Sequence, residues 1–302
     1  MQLQTPVLFL IFNRPDTTNR VFDELRKAQP AKLYVAADGA RKDKNGEAQL
    51  CTNTREILNK VDWKCDVKTL FRSENLGCKI AVSSAIDWFF ENEEQGIILE
   101  DDCLPNPSFF RFCTTLLDHF KHDEKVMHIG GTNFQNGKQR GDGTYYFSKY
   151  NHIWGWATWK RAWKQYDVAM KQFPDFVKNK KTETIFDTQK EIKYWNKIFQ
   201  SVYDGKVNTW DYQWTFAIWN QNALAVVPNK NLVSNIGFSD EATHTNSHSP
   251  LANLPSEEIA EITHPGFILQ NKKADKFTLN VFYPSLISYA KQRVLKFIKK
   301  QI

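Results

Sequence analysis

Through the first hundred residues the chain alternates short apolar runs with amphipathic stretches. VLFLIF at 7–12, KLYVAAD at 32–38, the run at 67–71 and GIILE at 96–100 read as strands, and 17–28, 51–61 and 79–92 read as helices. Strand and helix in strict succession predict an α/β fold, a mostly parallel central sheet with helices on its faces. Further along, 128–134 and 145–147 read as strands, and eight of the ten Trp fall between Trp154 and Trp219. Trp159 and Trp163, four apart, suit one buried face of a helix, whereas Trp154 and Trp156, flanking Gly155, suit the wall of a pocket. A loop of small polar residues at 239–255 then leads to the C-terminal segment. There Leu286, Ile287, Ala290, Val294, Phe297 and Ile298 fall on one arc of a helical wheel, opposite Arg293, Lys296, Lys299 and Lys300.

Composition narrows this picture. At 302 residues, 41% apolar and 25% charged, the composition disfavours a disordered, collagenous or membrane-embedded chain. Its net charge of +6 is local, because residues 271–302 carry +7 and the other 270 carry −1. A broadly basic nucleic-acid-binding body is therefore disfavoured, and no nucleic-acid partner is expected. The basic helix at 285–302 is either packed with a solvated lysine face or lies on anionic lipid, the latter bringing the protein to a lipid-linked acceptor. The first apolar run is too short for a signal peptide, and no run approaches a membrane span. Five cysteines without a C-x-x-C spacing complete the expectation of a cytoplasmic chain with reduced thiols.

Ligands of open α/β sheets sit beyond the carboxyl ends of the strands, so the residues there are the candidates. They are Asn13-Arg14-Pro15, Asp38-Gly39, Arg72 to Gly77 before a helix near Lys79, and Glu100-Asp101-Asp102. Three consecutive acids repel one another unless a cation is near, and a hard Mg²⁺ or Mn²⁺ completed by substrate phosphates suits them. Solvated acids capping the next helix fit the triplet equally well. Asp38-Gly39 taken alone is more often a turn than a base-recognition site, and Asn75-Leu76-Gly77 is compatible with a simple turn. No G-x-G-x-x-G occurs, and the approach to a P-loop at Gly131 to Lys138 has the wrong spacing and Gln139 in place of Ser or Thr.

Over roughly residues 6–245 these motifs resemble the GT-A glycosyltransferases, near the family-2-type enzymes and the N-acetylglucosaminyltransferases that begin complex N-glycan branches. The resemblance implies a GT-A (Rossmann-like) catalytic domain at 1–245, with a nucleotide-binding half at 1–125 and an acceptor half at 126–245, before a loop and basic tail at 246–302. It implies that Phe12, Asn13, Arg14 and Asp38 contact the nucleotide base, with Asn75, Gly77 and Lys79 opening the helix beside it. The E-D-D triplet stands for the family's D-x-D: Asp102 would ligate Mn²⁺ (or Mg²⁺), Asp101 the ribose, and Glu100 the sugar or ribose side. Trp154, Gly155 and Trp156 would line the donor sugar, and Asp211 matches the general base of inverting members. His244 lies where many members reach the metal or diphosphate, whereas His248 gains no role.

The expected activity is inverting, metal-dependent transfer from a nucleoside-diphosphate sugar, UDP-linked, to a glycan or lipid-linked acceptor, as in surface polysaccharide synthesis. A sugar-phosphate nucleotidyltransferase ranks lower because Asn13-Arg14-Pro15 holds no glycine. A silent carbohydrate-binding protein on the same fold is the third reading.

Overall fold

The computed structural model describes residues 2–238 and 251–282. The first half runs β1 (Val7–Ile11), α1 (Pro15–Ala28), β2 (Lys32–Ala37), α2 (Glu47–Glu56), β3 (Asp66–Phe71), α3 (Gly77–Asn92) and β4 (Gln95–Glu100). After it come β5 (Cys103–Pro105), α4 (Pro107–His119), β6 (Val126–Gly130), β7 (Tyr145–Ser148) and β8 (Trp156–Trp159). Helices α5 (Lys160–Trp163), α6 (Phe173–Lys178), α7 (Thr182–Ile185), α8 (Gln189–Tyr203) and α9 (Asp211–Asn220) precede β9 (Leu224–Pro228), β10 (Val233–Asn235) and α10 (Lys272–Phe282).

Eight strands form one sheet in the order β3-β2-β1-β4-β8-β6-β9-β7, while β5 and β10 pair in a separate ribbon. Only β8 and β7 run against the rest, so the sheet is mostly parallel, as the alternation predicts. All five residues of β1 are buried, because helices cover both faces of a parallel sheet and the strand must be apolar on both sides. At the β3 edge the pattern breaks: Asp66 and Val67 are exposed, and the polar residues there discourage pairing with another chain. Pro15 starts α1 two residues earlier than its apolar periodicity suggests, since proline is suited to the first turn, and Asn106 caps α4 by accepting from Ser108 N–H at 2.9 Å.

The tryptophan-rich middle departs from expectation in one respect. Residues 156–159 form a strand, paired with β4 on one side and β6 on the other, and the helix begins only at Lys160, so Trp159 ends a strand instead of sharing a helix face with Trp163. Trp159 and Trp163 are buried as anticipated. Trp156 is fully buried too, stacked between His128 and Trp210 with ring centroids at 5.1 and 5.8 Å. The described part of the C-terminal segment packs on the same body, with Ile259 and Ala274 buried and Asp275 accepting from Ser148 Oγ at 2.5 Å.

His128 is held in one protonation state by its neighbours. Its Nε2 faces the His152 carbonyl at 3.0 Å and its Nδ1 faces the Trp214 indole N–H at 3.2 Å. A carbonyl needs a donor and an indole needs an acceptor, so the ring is neutral with its hydrogen on Nε2. Protonation would aim a second N–H at the indole, and burial pushes the pKa down to about 3. The unfolded chain binds this proton near pH 6.5, so the His128 contribution to stability is complete above that pH and is lost as pH falls toward 3. The stability difference between the wild type and His128→Gln is expected to shrink by about 1.4 kcal/mol between roughly pH 7.5 and 5.5. Urea unfolding at the two pH values measures it.

Candidate active site

Strand β1 is flanked by β2 on one side and β4 on the other, so the chain reverses its direction of winding between β1 and β4. A crevice opens at such a reversal, outside the carboxyl ends of the two strands. Leu10 pairs with Glu100 in register, which brings Phe12-Asn13-Arg14 against Glu100-Asp101-Asp102. The Phe12 backbone N–H donates to Asp101 Oδ2 at 3.1 Å, and Arg14 Nη1 donates to Asp102 Oδ2 at 3.0 Å. Arg14 reaches Asp101 less closely, at 3.9 Å.

One guanidinium does not balance these acids. Burial, then the charge of Asp102, pushes the Asp101 pKa up to about 7, despite the opposing pull of Arg14 and the Phe12 N–H. Glu100 is also raised well above its ordinary value, first by burial and then by Asp102, Asp101 and Asp211, and its Oε1 is shielded from solvent with no hydrogen-bond partner among the described residues. The charge of Asp211, at the start of α9, thus acts on Glu100 from 111 positions away in sequence. The Cys78 thiol in the first turn of α3 registers the same convergence: after burial, its pKa is raised by Glu100, Asp211 and Asp38, to about 12. Thr209 Oγ donates to Asp211 Oδ1, which fixes that carboxylate.

Other expected residues take different places. Asp38 accepts from Gly39 N–H, Leu76 N–H and Gly77 N–H at 3.0 Å each, so its oxygens join β2 to the first turn of α3 instead of facing a base. Asn75 serves the same junction, donating to the Gly39 carbonyl at 2.7 Å, and Gly77 supplies the positive φ of 75° that the turn requires. Lys79 is half-buried on the first turn of α3. Asn13 donates to Glu47 Oε1 at 2.9 Å. Trp156 is corrected: a fully buried ring cannot stack on a sugar, and its packing among aromatic neighbours leaves it no open face. Trp154 is half-buried, with Phe134 and Phe238 against it at 5.3 and 5.6 Å. Gly155, at φ 65°, lets the backbone turn tightly over Val233 and Leu99, where a Cβ would come within 2.8 Å of Val233. His244 and the basic helix at 285–302 lie outside the described residues.

The structure adds residues that the motifs do not reveal. Arg41 lies over the Phe12 ring at 5.7 Å and is gripped by Glu47. It follows Asp38-Gly39 by two positions, so the strand-end rule carried slightly further reaches it. Asn235, the last residue of β10, and Gly237 beyond it close on Asp102: Ile236 N–H donates to the Asp102 carbonyl at 2.8 Å, and a Cβ on Gly237 would lie 2.2 Å from Asp102 Oδ2. No local sequence signal links positions 102 and 237.

The donor set suits a hard divalent cation, with carboxylate oxygens in excess of positive charge and one buried oxygen lacking a partner. Among the described residues no three His, Cys, Asp or Glu side chains would hold a metal by themselves.

No family model and no curated protein matches the chain. Among solved structures, HddC from Yersinia pseudotuberculosis is similar at 10% identity and TM-score 0.33, over 54% of this chain and 80% of its own. S. aureus TarS 1–349 is similar at 12% identity and TM-score 0.35, over 53% of this chain and 48% of its own. UDP-glucose pyrophosphorylase complexed with UDP-glucose gives 10% identity and TM-score 0.32, over 54% and 78%. At these scores the likenesses carry no argument about activity, and the sheet order and its switch point define the fold as an α/β, Rossmann-like arrangement.

Proposed function

We propose that the chain is a metal-dependent glycosyltransferase that moves a sugar from a nucleoside diphosphate to an acceptor hydroxyl with inversion. The observation that carries this reading is the acidic Glu100-Asp101-Asp102 cluster at the β1/β4 switch point, held against Phe12 and Arg14, with the charge of Asp211 close enough to act on Glu100. Asp102, with Asp101 beside it, would hold Mn²⁺ or Mg²⁺. When bound, that ion neutralises charge developing on the leaving diphosphate. Arg14 orients Asp102 and adds fixed positive charge beside the diphosphate. Trp154 offers a half-exposed ring to the donor sugar. Asp211, steadied by Thr209, takes the proton of the acceptor hydroxyl as its oxygen bonds to the anomeric carbon. The nucleoside diphosphate departs with the electron pair of the broken bond.

Nucleotidyl transfer from a nucleoside triphosphate is less well supported. Only Phe12, Asn13 and Arg14 separate β1 from α1, which leaves no glycine-rich loop to wrap a triphosphate. A panel of nucleotide sugars with Mn²⁺, read as nucleoside-diphosphate release with UDP sugars tried first, tests the proposal. Release on adding an acceptor supports it, whereas pyrophosphate release from a triphosphate and a sugar phosphate would replace it.

Gly237 supplies a second check. Its Cβ position falls on the Asp102 carboxylate, so Gly237→Ala must displace Asp102. The variant is expected to weaken Mn²⁺ binding in the presence of UDP by about tenfold or more, an effect of the size seen when groups supporting a metal ligand are disturbed. Calorimetry measures it, with circular dichroism confirming an unchanged fold.

A further inference from the structure

We infer that the loop at 264–271 and the outward face of α10 form a docking surface for an anionic lipid bilayer. Phe267 and Leu269 are 79% and 69% exposed, while no other large apolar side chain among the described residues exceeds 43%. Isolated exposed apolar residues are ordinary, but a neighbouring pair held so far into solvent requires a reason. The loop that carries them is firmly tied. His264 Nδ1 meets Tyr145 Oη at 2.8 Å and its ring stacks on His119 at 3.9 Å, while Asn271 N–H donates to the Phe147 carbonyl at 2.8 Å. Leu269 N–H donates to the Phe267 carbonyl at 3.1 Å, which tightens the tip itself. The two side chains are thus presented by a fixed loop.

Basic residues surround them. Phe267, Leu269, Lys272 and Lys273 line one groove of about 360 Å³ beside β7. On α10, Ala274, Asp275 and Thr278 are buried, and Lys272, Lys273 and Lys276 occupy the opposite, exposed arc. Lys138 and Arg140 approach the same helix, at 4.7 and 5.6 Å from the Phe277 ring centroid. Exposed acids nearby are Asp142, which lines the groove, Asp187, which pairs with Lys272 at 3.2 Å, and Glu258 and Glu261 in the segment leading into the loop, so the basic groups still outnumber them. Asp275 is turned inward to Ser148 and Lys149. Beyond Phe282 the sequence adds Lys291, Arg293, Lys296, Lys299 and Lys300, completing the +7 of residues 271–302.

Apolar tips amid lysines match the interface of an anionic bilayer, where the tips enter the acyl boundary and the cations meet headgroup phosphates. A second copy of the chain would set the same positive charges against each other, which disfavours it as the occupant. No helix among the described residues is long and apolar enough to cross a membrane, so the contact is peripheral. The end of α10 also bears on the cleft: Phe282 packs on Phe134 at 4.9 Å, and Phe134 packs on Trp154.

Vesicle co-sedimentation of the full chain tests the surface and reads binding alone, independently of transferase activity. The wild type is expected to sediment with phosphatidylcholine vesicles that contain phosphatidylglycerol, and not with phosphatidylcholine alone. Phe267→Ser/Leu269→Ser and Lys273→Glu/Lys276→Glu are each expected to lower partitioning at least about tenfold, with thermal melting unchanged. Wild-type partitioning in both double variants would overturn the assignment, as would a wild type that ignores anionic vesicles or buries the patch in a concentration-dependent dimer.

Discussion

Asp211→Asn is expected to lower the rate of sugar transfer by about 10²–10⁴-fold while leaving the affinity for the nucleotide nearly unchanged. The asymmetry follows from the position of the residue. Asp211 begins α9 and its charge reaches Glu100, but the groups proposed to hold the nucleotide and metal come from the ends of β1 and β4. Asparagine retains an oxygen to accept from Thr209, so that hydrogen bond survives while the capacity to take a proton is lost, together with the negative charge that acts on Glu100. A fall in kcat with a constant donor KM, together with an unchanged melting temperature, is the expected pattern. A parallel rise in KM would instead place Asp211 among the donor-binding groups, and full activity would remove it as the base.

The largest stability effect is expected at Trp156. Trp156→Ala should destabilise the fold by about 3–5 kcal/mol, the usual range for emptying a fully buried aromatic site. The indole lies among His128, Trp163, Trp210 and Trp214. These partners come from β6, α5, α9 and the residue before α9, so the cavity would open where the sheet meets the helices. Trp156→Phe should cost much less. The Trp156 indole N–H has no hydrogen-bond partner among the described residues, and phenylalanine removes that buried donor while keeping most of the ring contact. Transfer activity should survive Trp156→Phe, because a ring with no exposed surface cannot hold a sugar. Equilibrium unfolding and donor KM for the two variants separate the core role from a pocket role.

The sheet and its candidate site differ in how far sequence reveals them. Strands β1, β2 and β4 are legible because each is a short apolar run closed by polar residues, and the strand-end rule leads directly to Arg14 and Glu100-Asp101-Asp102. The tryptophans mislead because periodicity cannot separate a short strand from a helix turn: Trp156 and Trp159 bracket a four-residue strand whose pairing with β4 and β6 is a tertiary fact. Asp38 misleads for another reason. An acid after a strand points into the crevice or back to the next helix, and the choice is made by backbone N–H groups 38 and 39 residues later. Glu47, Asn235 and Gly237 are silent in sequence because their partners at Arg41 and Asp102 are set by loop geometry.

The central claim is that a nucleoside diphosphate binds at the β1/β4 switch point with a divalent cation held by Asp102. Calorimetric titration of UDP into the wild type with Mn²⁺, into the wild type with a chelator, and into Asp102→Ala with Mn²⁺ tests it most directly. The account predicts binding with Mn²⁺ that weakens by about tenfold or more in each of the other two titrations. Equal UDP affinity in all three, or no UDP binding by the wild type with Mn²⁺, would contradict it.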